Sequence, residues 1–331
     1  MSNNAGGIAE NPSVHKTPAR ETGRLLPKHS LARDLLRDRL LYVMLIPGIV
    51  YVLLFHYAPM YGVSIAFRDY NIFKGFADAP FVGLANFDKL FSRSGFIRAL
   101  QNNILISVLK LICGFPVPII LSLMINELRL RYSQKFVQTL VILPNFVSWI
   151  VINGILYAMF NSTSGALPGI LKALGYAGQI ENIMNRNESF IWVIVFSHVW
   201  KGAGMGTIVY LAAIVSIDPQ LYEAAAIDGA GRWRRMWHIT LAGLRPTIVI
   251  LLIFRVGDMM YAGFDQIFAI SNYLVISSAD IIDTYVYRLG MEQQKFAEAA
   301  AAGLFQSGIG LILVLLTNTV AKKIDRDSGI M

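Results

Sequence analysis

Six long apolar runs dominate this chain and limit what it can fold into. They cover about residues 40–66, 102–126, 136–160, 190–217, 247–270 and 299–321. A membrane-spanning helix needs roughly 20 mostly apolar residues, and every run is at least that long. Charged residues make up only 15% of the 331 residues, against about 25% in soluble domains. The runs therefore predict an all-α polytopic membrane protein with six transmembrane helices.

The basic residues predict how these helices are oriented. If the N-terminus lies inside, 17 of the 29 lysines and arginines fall in inner segments, nine in outer loops and three within spans. Cytoplasmic loops of membrane proteins are enriched in these residues. We therefore expect both termini and the 218–246 loop to be cytoplasmic, with residues 1–29 a disordered tail and 30–331 a transmembrane domain. The same enrichment accounts for the net charge of +8, so the charge does not require a nucleic-acid partner.

The 218–246 loop is a polar interruption of 29 residues between two apolar runs. Asp218 is suited to cap a helix, and Pro219 suits its first position. A turn is expected at Gly229. A second, amphipathic helix carrying Trp233 follows, and Pro246 is expected to close the segment. The pattern predicts a helix-turn-helix outside the bilayer, which contacts either a partner protein or lipid headgroups.

Five charged residues lie inside the predicted spans: Lys110, Lys201, Arg255, Asp258 and Asp265. Such residues usually face the bundle interior or a water-filled cavity. Arg255 and Asp258 are three residues apart on one helix face, so they can neutralise each other. The charges predict either a path for polar, including anionic, sugars or a structural ion pair. Lys201 could instead reach the interface or cap a helix break near residues 202–204.

Aromatic and amide side chains in or near these spans suit either sugar contacts or ordinary packing. They are Asn145, Trp149, Trp200 and Tyr261. The chain has no G-x-x-x-x-G-K-[ST] phosphate loop, H-E-x-x-H or G-x-S-x-G sequence, so neither ATP binding by that loop nor an enzymatic site is predicted. Its five histidines lack the spacing of metal ligands. The single cysteine, Cys113, excludes an intrachain disulfide.

The 218–246 loop contains a spaced motif. Glu223-Ala224-Ala225, Gly229 and Ile239-x-Leu241 resemble the E-A-A-x3-G-x9-I-x-L-P motif of permease subunits of bacterial ATP-binding-cassette importers, except that Ala242 replaces the final proline. From about residue 40 onward the chain resembles the carbohydrate-permease branch, and within it a permease subunit of importers of alginate oligosaccharides. The further runs that carry this resemblance are VGLANF (82–87), LPNFVSWIV (143–151), GFDQIF (263–268), IIDTYVYRLGM (281–291) and AAAAGLFQSGIGLIL (299–313).

The resemblance implies a type I importer fold in the bacterial inner membrane. It implies that the loop seats in a groove on an ATPase subunit through Glu223, Ala224, Ala225, Asp228, Gly229, Arg232 and Trp233. The implied partners are a second, different permease, two ATPase subunits that bind ATP and Mg²⁺, and an extracytoplasmic sugar-binding protein. No cofactor is expected on this chain. The implied cargo is an oligosaccharide, with an acidic, alginate-like one as a candidate.

Two other functions compete with an importer subunit. An ion-coupled secondary transporter of a small polar solute usually has repeated halves and broken helices at a midplane site. No convincing repeat is present here, and the 218–246 loop would have no role. A membrane scaffold or receptor would leave the charges within the spans without a purpose.

Overall fold

The computed structural model describes residues 39–324 except 74, 77 and 176–181, so the predicted tail over 1–29 lies outside the described residues. Four helical runs in the described part are long and apolar enough to cross a membrane: Arg39–Phe67, Ser94–Asn126, Arg232–Met260 and Phe296–Lys323. Two bent helix pairs raise the number to as many as six. The predicted all-α, membrane-spanning fold is confirmed.

The chain divides into two compact units, one ending at Ala58 and the other beginning at Pro59. In the first unit, helix α1 (Arg39–Val52) continues into a π-helical turn, Leu53–Tyr57. None of the side chains in these two elements is buried within the chain. A helix this apolar needs a cover of lipid tails or of another protein.

The second unit holds the remaining helices. In chain order they are α2 (Ala85–Phe91), α3 (Ser94–Gly114), α4 (Pro116–Asn126), α5 (Arg131–Ile142), α6 (Trp149–Phe160), α7 (Ala166–Ala173), α8 (Asn187–Val215), α9 (Pro219–Ile227), α10 (Arg232–Arg235), α11 (Leu241–Gly257), α12 (Phe264–Ile270), α13 (Ile276–Ala279), α14 (Ile282–Tyr287) and α15 (Phe296–Ile324). The spans predicted at 190–217 and 299–321 correspond to α8 and α15 within three residues at each end. The second span starts at Ser94, eight residues earlier than predicted.

The third predicted span, 136–160, is not one helix. After α5 the chain forms a 3-10 turn, Leu143–Phe146, and α6 then leaves at an angle of 100°. Pro144 in the turn removes a backbone donor, which favours a break. Ser148 starts α6 as its N-cap, and its side chain accepts a hydrogen bond from the Val151 amide at 3.3 Å.

The fifth predicted span, 247–270, is wrong at both ends. Its helical run starts at Arg232 and passes through a π-helical turn, Met236–Thr240, into α11. The run ends at Met260, and Gly263 takes a φ of +101° before α12 begins. Pro246 lies inside α11 and does not end it, because transmembrane helices tolerate proline when neighbouring groups satisfy the freed backbone.

One cluster of buried apolar side chains bears directly on the 218–246 segment. Leu123 of α4, Tyr210 and Ile214 of α8, and Leu244 of α11 form its centre. Met236, in the π-helical turn, packs against this cluster. The base of the segment is therefore fixed to three helices by apolar contacts, which are the main source of stability in a packed interior.

Candidate functional site

Helix α9 begins as the sequence predicts. The Asp218 side chain accepts a hydrogen bond from the Gln220 amide at 2.9 Å, and Pro219 occupies the first turn. This satisfies one of the free N–H groups at the helix start, and the missing proline donor costs nothing there. The hydroxyl of Tyr222, on α9, lies 3.0 Å from the hydroxyl of Thr240, which is nearer the C-terminal end of the segment. Helix α9 is thereby tied to the helical run that follows it.

The turn after α9 depends on Gly229. Gly229 has a φ of +76°, its amide donates to the Ala226 carbonyl at 3.1 Å, and the Ala230 amide donates to the Ala225 carbonyl at 2.9 Å. This pair of bonds is the Schellman arrangement, which places glycine in the left-handed region directly after a helix. No atom of the described residues lies within 4 Å of a Cβ built on Gly229. Backbone conformation, rather than close packing within the chain, therefore requires glycine here.

Replacing Gly229 by alanine should lower the free energy of unfolding by about 1–2 kcal/mol, the usual cost of left-handed backbone for an L-residue. Gly231→Ala is a matched control, because Gly231 has a φ of −66° and open space around it. Denaturant unfolding in detergent micelles measures both variants. An equal loss at the two positions would contradict the role assigned to the turn.

An apolar and acidic surface lies exposed on this segment. Ile227 is 87% exposed, Trp233 80% and Trp237 63%, and the side chains of Glu223 and Asp228 are exposed beside them. Large aromatic side chains left open in this way usually mark a protein interface. The other predicted coupling residues differ in exposure: Ala224 is exposed, and Ala225 is half-buried. Arg232 is exposed but already engaged, because its guanidinium forms an ion pair with Glu127.

The second candidate feature is a polar cavity of about 110 Å³ between α3, α8 and α11. Lys110 lines it and is only 8% exposed. Its Nζ donates to the Ala262 carbonyl at 2.6 Å and to Gln266 Oε1 at 2.5 Å. The Gln266 amide group donates onward to the Ile194 carbonyl at 2.7 Å and to Ser197 Oγ at 2.9 Å. This network joins α3, α8 and α12 through buried polar groups.

Arg255, Asp258 and Tyr261 line the same cavity. Within the described residues Arg255 and Asp258 form no ion pair with each other, which corrects the pairing expected from their three-residue spacing. Both side chains are exposed in the isolated chain, and Asp258 begins a 3-10 turn at the end of α11. Two charges free to meet a ligand therefore lie beside Lys110.

Lys201 does not line the polar cavity but lies at the turn between α5 and α6. Its Nζ donates to the carbonyls of Asn145 at 2.6 Å and Val147 at 2.7 Å, and it lies 5.5 Å from the centre of the Trp149 ring. It thus caps the break between α5 and α6. No break occurs near residues 202–204, because α8 is unbroken from Asn187 to Val215.

The residues predicted to contact a sugar therefore lie in different parts of the structure. They are Lys110, Asn145, Trp149, Trp200, Lys201, Arg255, Asp258 and Tyr261. Trp200 lines an apolar groove between α6 and α8. Among the polar side chains that line the cavity, those of Ser107 and His198 were not predicted. Ser107 Oγ is buried with no hydrogen-bond partner in the described ranges, and it precedes Lys110 by nearly one helical turn, a spacing from which it could have been found. His198 carries no comparable local signal in the sequence.

Comparisons with known proteins identify the family. Residues 114–327 match the model of the binding-protein-dependent transport system inner membrane component. The polygalacturonan/rhamnogalacturonan transport system permease protein YteP of Bacillus subtilis is 42% identical over 289 residues, 87% of this chain and 89% of that protein. Protein LplB of the same organism is 42% identical over 291 residues, 88% of this chain and 91% of LplB.

Solved structures agree. The crystal structure of a bacterial ABC transporter involved in the import of the acidic polysaccharide alginate has a chain that aligns with a TM-score of 0.82 and 39% identity, covering 89% of this chain and 99% of that one. A second structure, of a bacterial alginate ABC transporter in complex with an alginate pentasaccharide-bound periplasmic protein, gives a TM-score of 0.80 at 39% identity over 89% and 98% of the two chains. The family resemblance found in the motif residues is confirmed. The chain therefore belongs to the inner-membrane components of binding-protein-dependent transport systems, as a multi-pass permease of the ATP-binding-cassette class.

Proposed function

We propose that this chain is a permease subunit of an ATP-driven importer and forms, with a second permease, the translocation path for an acidic oligosaccharide. The observation that carries the proposal is the exposed surface of α9 and α10. It places the motif residues Glu223 and Asp228 beside the open side chains of Ile227 and Trp233, on a chain whose helices can span a membrane.

This surface is proposed as the seat of an ATPase subunit. Glu223 supplies charge at its rim, and Ile227 and Trp233 supply the apolar area that dominates interface energetics. The distribution of basic residues supports a cytoplasmic position for the segment and for both termini. ATP and Mg²⁺ belong, in this proposal, to the two ATPase subunits and not to this chain.

An extracytoplasmic binding protein is proposed to deliver the cargo. The family is defined by dependence on such a protein, and an alginate transporter has been solved with its sugar-loaded periplasmic protein. The second permease is proposed to be a different chain, as in the carbohydrate branch that the motif residues resemble.

The polar cavity supports an acidic cargo. The Arg255 guanidinium is charged at any physiological pH and has no acidic partner among the described residues. The Lys110 amino group meets a carbonyl and an amide oxygen. The Ser107 hydroxyl is buried there without a partner among the described residues. The Arg255 charge and these donors, against the single carboxylate of Asp258, favour a carboxylate-bearing sugar, and the named substrates of two relatives, polygalacturonan and alginate, are consistent with this.

Arg255→Ala should reduce uptake of a uronate oligosaccharide about tenfold, because hydrogen bonds to charged groups contribute about 1.5–3 kcal/mol. Uptake of the same oligosaccharide with its carboxylates methyl-esterified should change less than about twofold. Lys201→Ala is the contrasting variant, since both of its hydrogen bonds are to backbone carbonyls, and it should lower uptake of the two sugars equally. Equal losses for Arg255→Ala would contradict an acidic cargo.

Transport by the assembled complex in proteoliposomes tests the function itself. Uptake is expected to require ATP, the ATPase subunits and the sugar-loaded binding protein together. Uptake by this chain and its partner permease that follows an ion gradient and persists without ATP would contradict the proposal.

A further inference from the structure

Arg232 and Glu127 form the one ion pair in the described residues that joins the 218–246 segment to another part of the chain. The Arg232 Nε donates to Glu127 Oε2 at 2.9 Å, and Nη2 lies 2.8 Å from the same oxygen. Nη2 also donates to the backbone carbonyl of Glu127 at 2.6 Å. One guanidinium therefore holds both the side chain and the backbone of its partner.

The two residues lie where helical runs begin and end. Glu127 is the C-cap of α4 and closes the run Ser94–Asn126. Arg232 is the first residue of the run Arg232–Met260 and follows the Gly229 turn by three positions. A positive charge at a helix C-terminus is stabilised by the carbonyl dipoles there. The contact therefore joins the end of the second span directly to the start of the fifth.

The acceptor side of this contact is itself fixed. Gln134 Nε2 donates to the carbonyls of Ile125 at 3.3 Å and Leu128 at 3.2 Å, on either side of Glu127. The pair is half-exposed, with side-chain exposures of 48% for Arg232 and 34% for Glu127. Exposed pairs are usually weak, but one that adds a charge-assisted hydrogen bond to a fixed backbone carbonyl has a defined geometry.

We propose that Arg232 and Glu127 are positioning residues that transmit displacement of the α9–α10 surface to the second span, so that α3 and α4 move with it. Lys110 lies on α3, so this contact connects the exposed surface with the polar cavity by a route that does not pass along α11. This inference rests on the proposed function and adds a mechanism to it. It also changes the role of Arg232, which acts here within the chain rather than on the ATPase.

Arg232→Ala and Glu127→Gln test the proposal in the assembled complex, with ATP hydrolysis and sugar uptake measured on the same proteoliposomes. Each variant should bind the ATPase subunits and hydrolyse ATP within about twofold of the unmodified complex, while sugar taken up per ATP falls about fivefold, the upper range for a half-exposed pair. The double variant should lose no more than Arg232→Ala alone, because Arg232→Ala already removes both contacts with Glu127. The charge exchange Arg232→Glu with Glu127→Arg can restore the ion pair but not the hydrogen bond to the backbone carbonyl at position 127, so it should recover only part of the loss.

Arg129→Ala is the matched control. Arg129 lies two residues after Glu127, is exposed, and makes no hydrogen bond or ion pair among the described residues, so uptake per ATP should be unchanged. Losses that multiply in the double variant would overturn the pairing. Loss of ATPase binding in Arg232→Ala alone would overturn the positioning role and place Arg232 at the interface. Absence of ATP-dependent uptake in the unmodified complex would instead refute the importer function on which the inference rests.

Discussion

Replacing Glu223 by lysine is expected to reduce ATP-dependent uptake by at least about 100-fold. The Glu223 carboxylate is exposed on α9 and makes no hydrogen bond or ion pair with the described residues, so the change should alter the chain's own stability by no more than about 0.5 kcal/mol. At an interface, a charge of the wrong sign costs several kcal/mol, and each 1.4 kcal/mol is a factor of ten. The variant should therefore insert and fold but fail to recruit or couple the ATPase.

Co-purification with the ATPase and uptake in proteoliposomes measure this effect. Glu223→Gln removes the charge without reversing it and should give a smaller loss. Asp88→Lys reverses an exposed carboxylate on α2, outside the 218–246 segment, and should leave ATPase recruitment unchanged. Normal uptake by Glu223→Lys would contradict the proposal that this surface couples the chain to an ATPase subunit.

Gly204→Ala is expected to destabilise the chain by about 3 kcal/mol or more, at the upper range of overpacking substitutions. Gly204 faces α5, and a Cβ built on it overlaps the Val141 carbonyl oxygen and lies 2.6 Å from the Cα of Ile142. Backbone atoms cannot rotate away as a side chain can, so α5 and α8 must separate. Because α5 leads into the break that Lys201 caps, such a separation also disturbs that contact.

Gly202→Ala, two residues earlier on the same helix, provides the comparison. Within the part of the chain that the structure describes, no atom lies within 4 Å of a Cβ built there. Alanine also has the higher helix propensity, so stability should be unchanged or slightly raised. Thermal unfolding in detergent micelles compares the two variants. Equal melting temperatures for both would show that α5 and α8 do not approach as closely as described.

The features that the sequence predicted correctly depend on local or periodic signals. Length and hydropathy located the spans at 190–217 and 299–321, Asp218 and Pro219 marked the start of α9, and Gly229 marked its turn. What the sequence did not predict depends on contacts between distant segments. The break in the third span is stabilised by Lys201, on another helix, whose Nζ donates to the carbonyls of Asn145 and Val147.

The fifth span shows the same limit. Pro246 suggested an end to the second short helix. A proline inside a membrane helix is tolerated when neighbouring groups satisfy the backbone groups it frees, and the sequence around it does not distinguish this case from a helix end. The three-residue spacing of Arg255 and Asp258 suggested an ion pair. The helix tightens into a 3-10 turn at Asp258, and side-chain positions inferred for a regular helix no longer apply there.

The uninterrupted run from Arg232 to Met260 has a mechanical consequence. At about 1.5 Å per residue, its 29 residues form a rod roughly 43 Å long, with Trp233 near one end and Arg255 about 33 Å away. Tilting a rod of this length by about 10° around its midpoint shifts each end by roughly 4 Å in opposite directions. Arg255 lies about 14 Å from that midpoint, so the same tilt moves its backbone by roughly 2 Å. A push on Trp233 therefore carries the Arg255 guanidinium beyond hydrogen-bonding distance of a partner that stays in place.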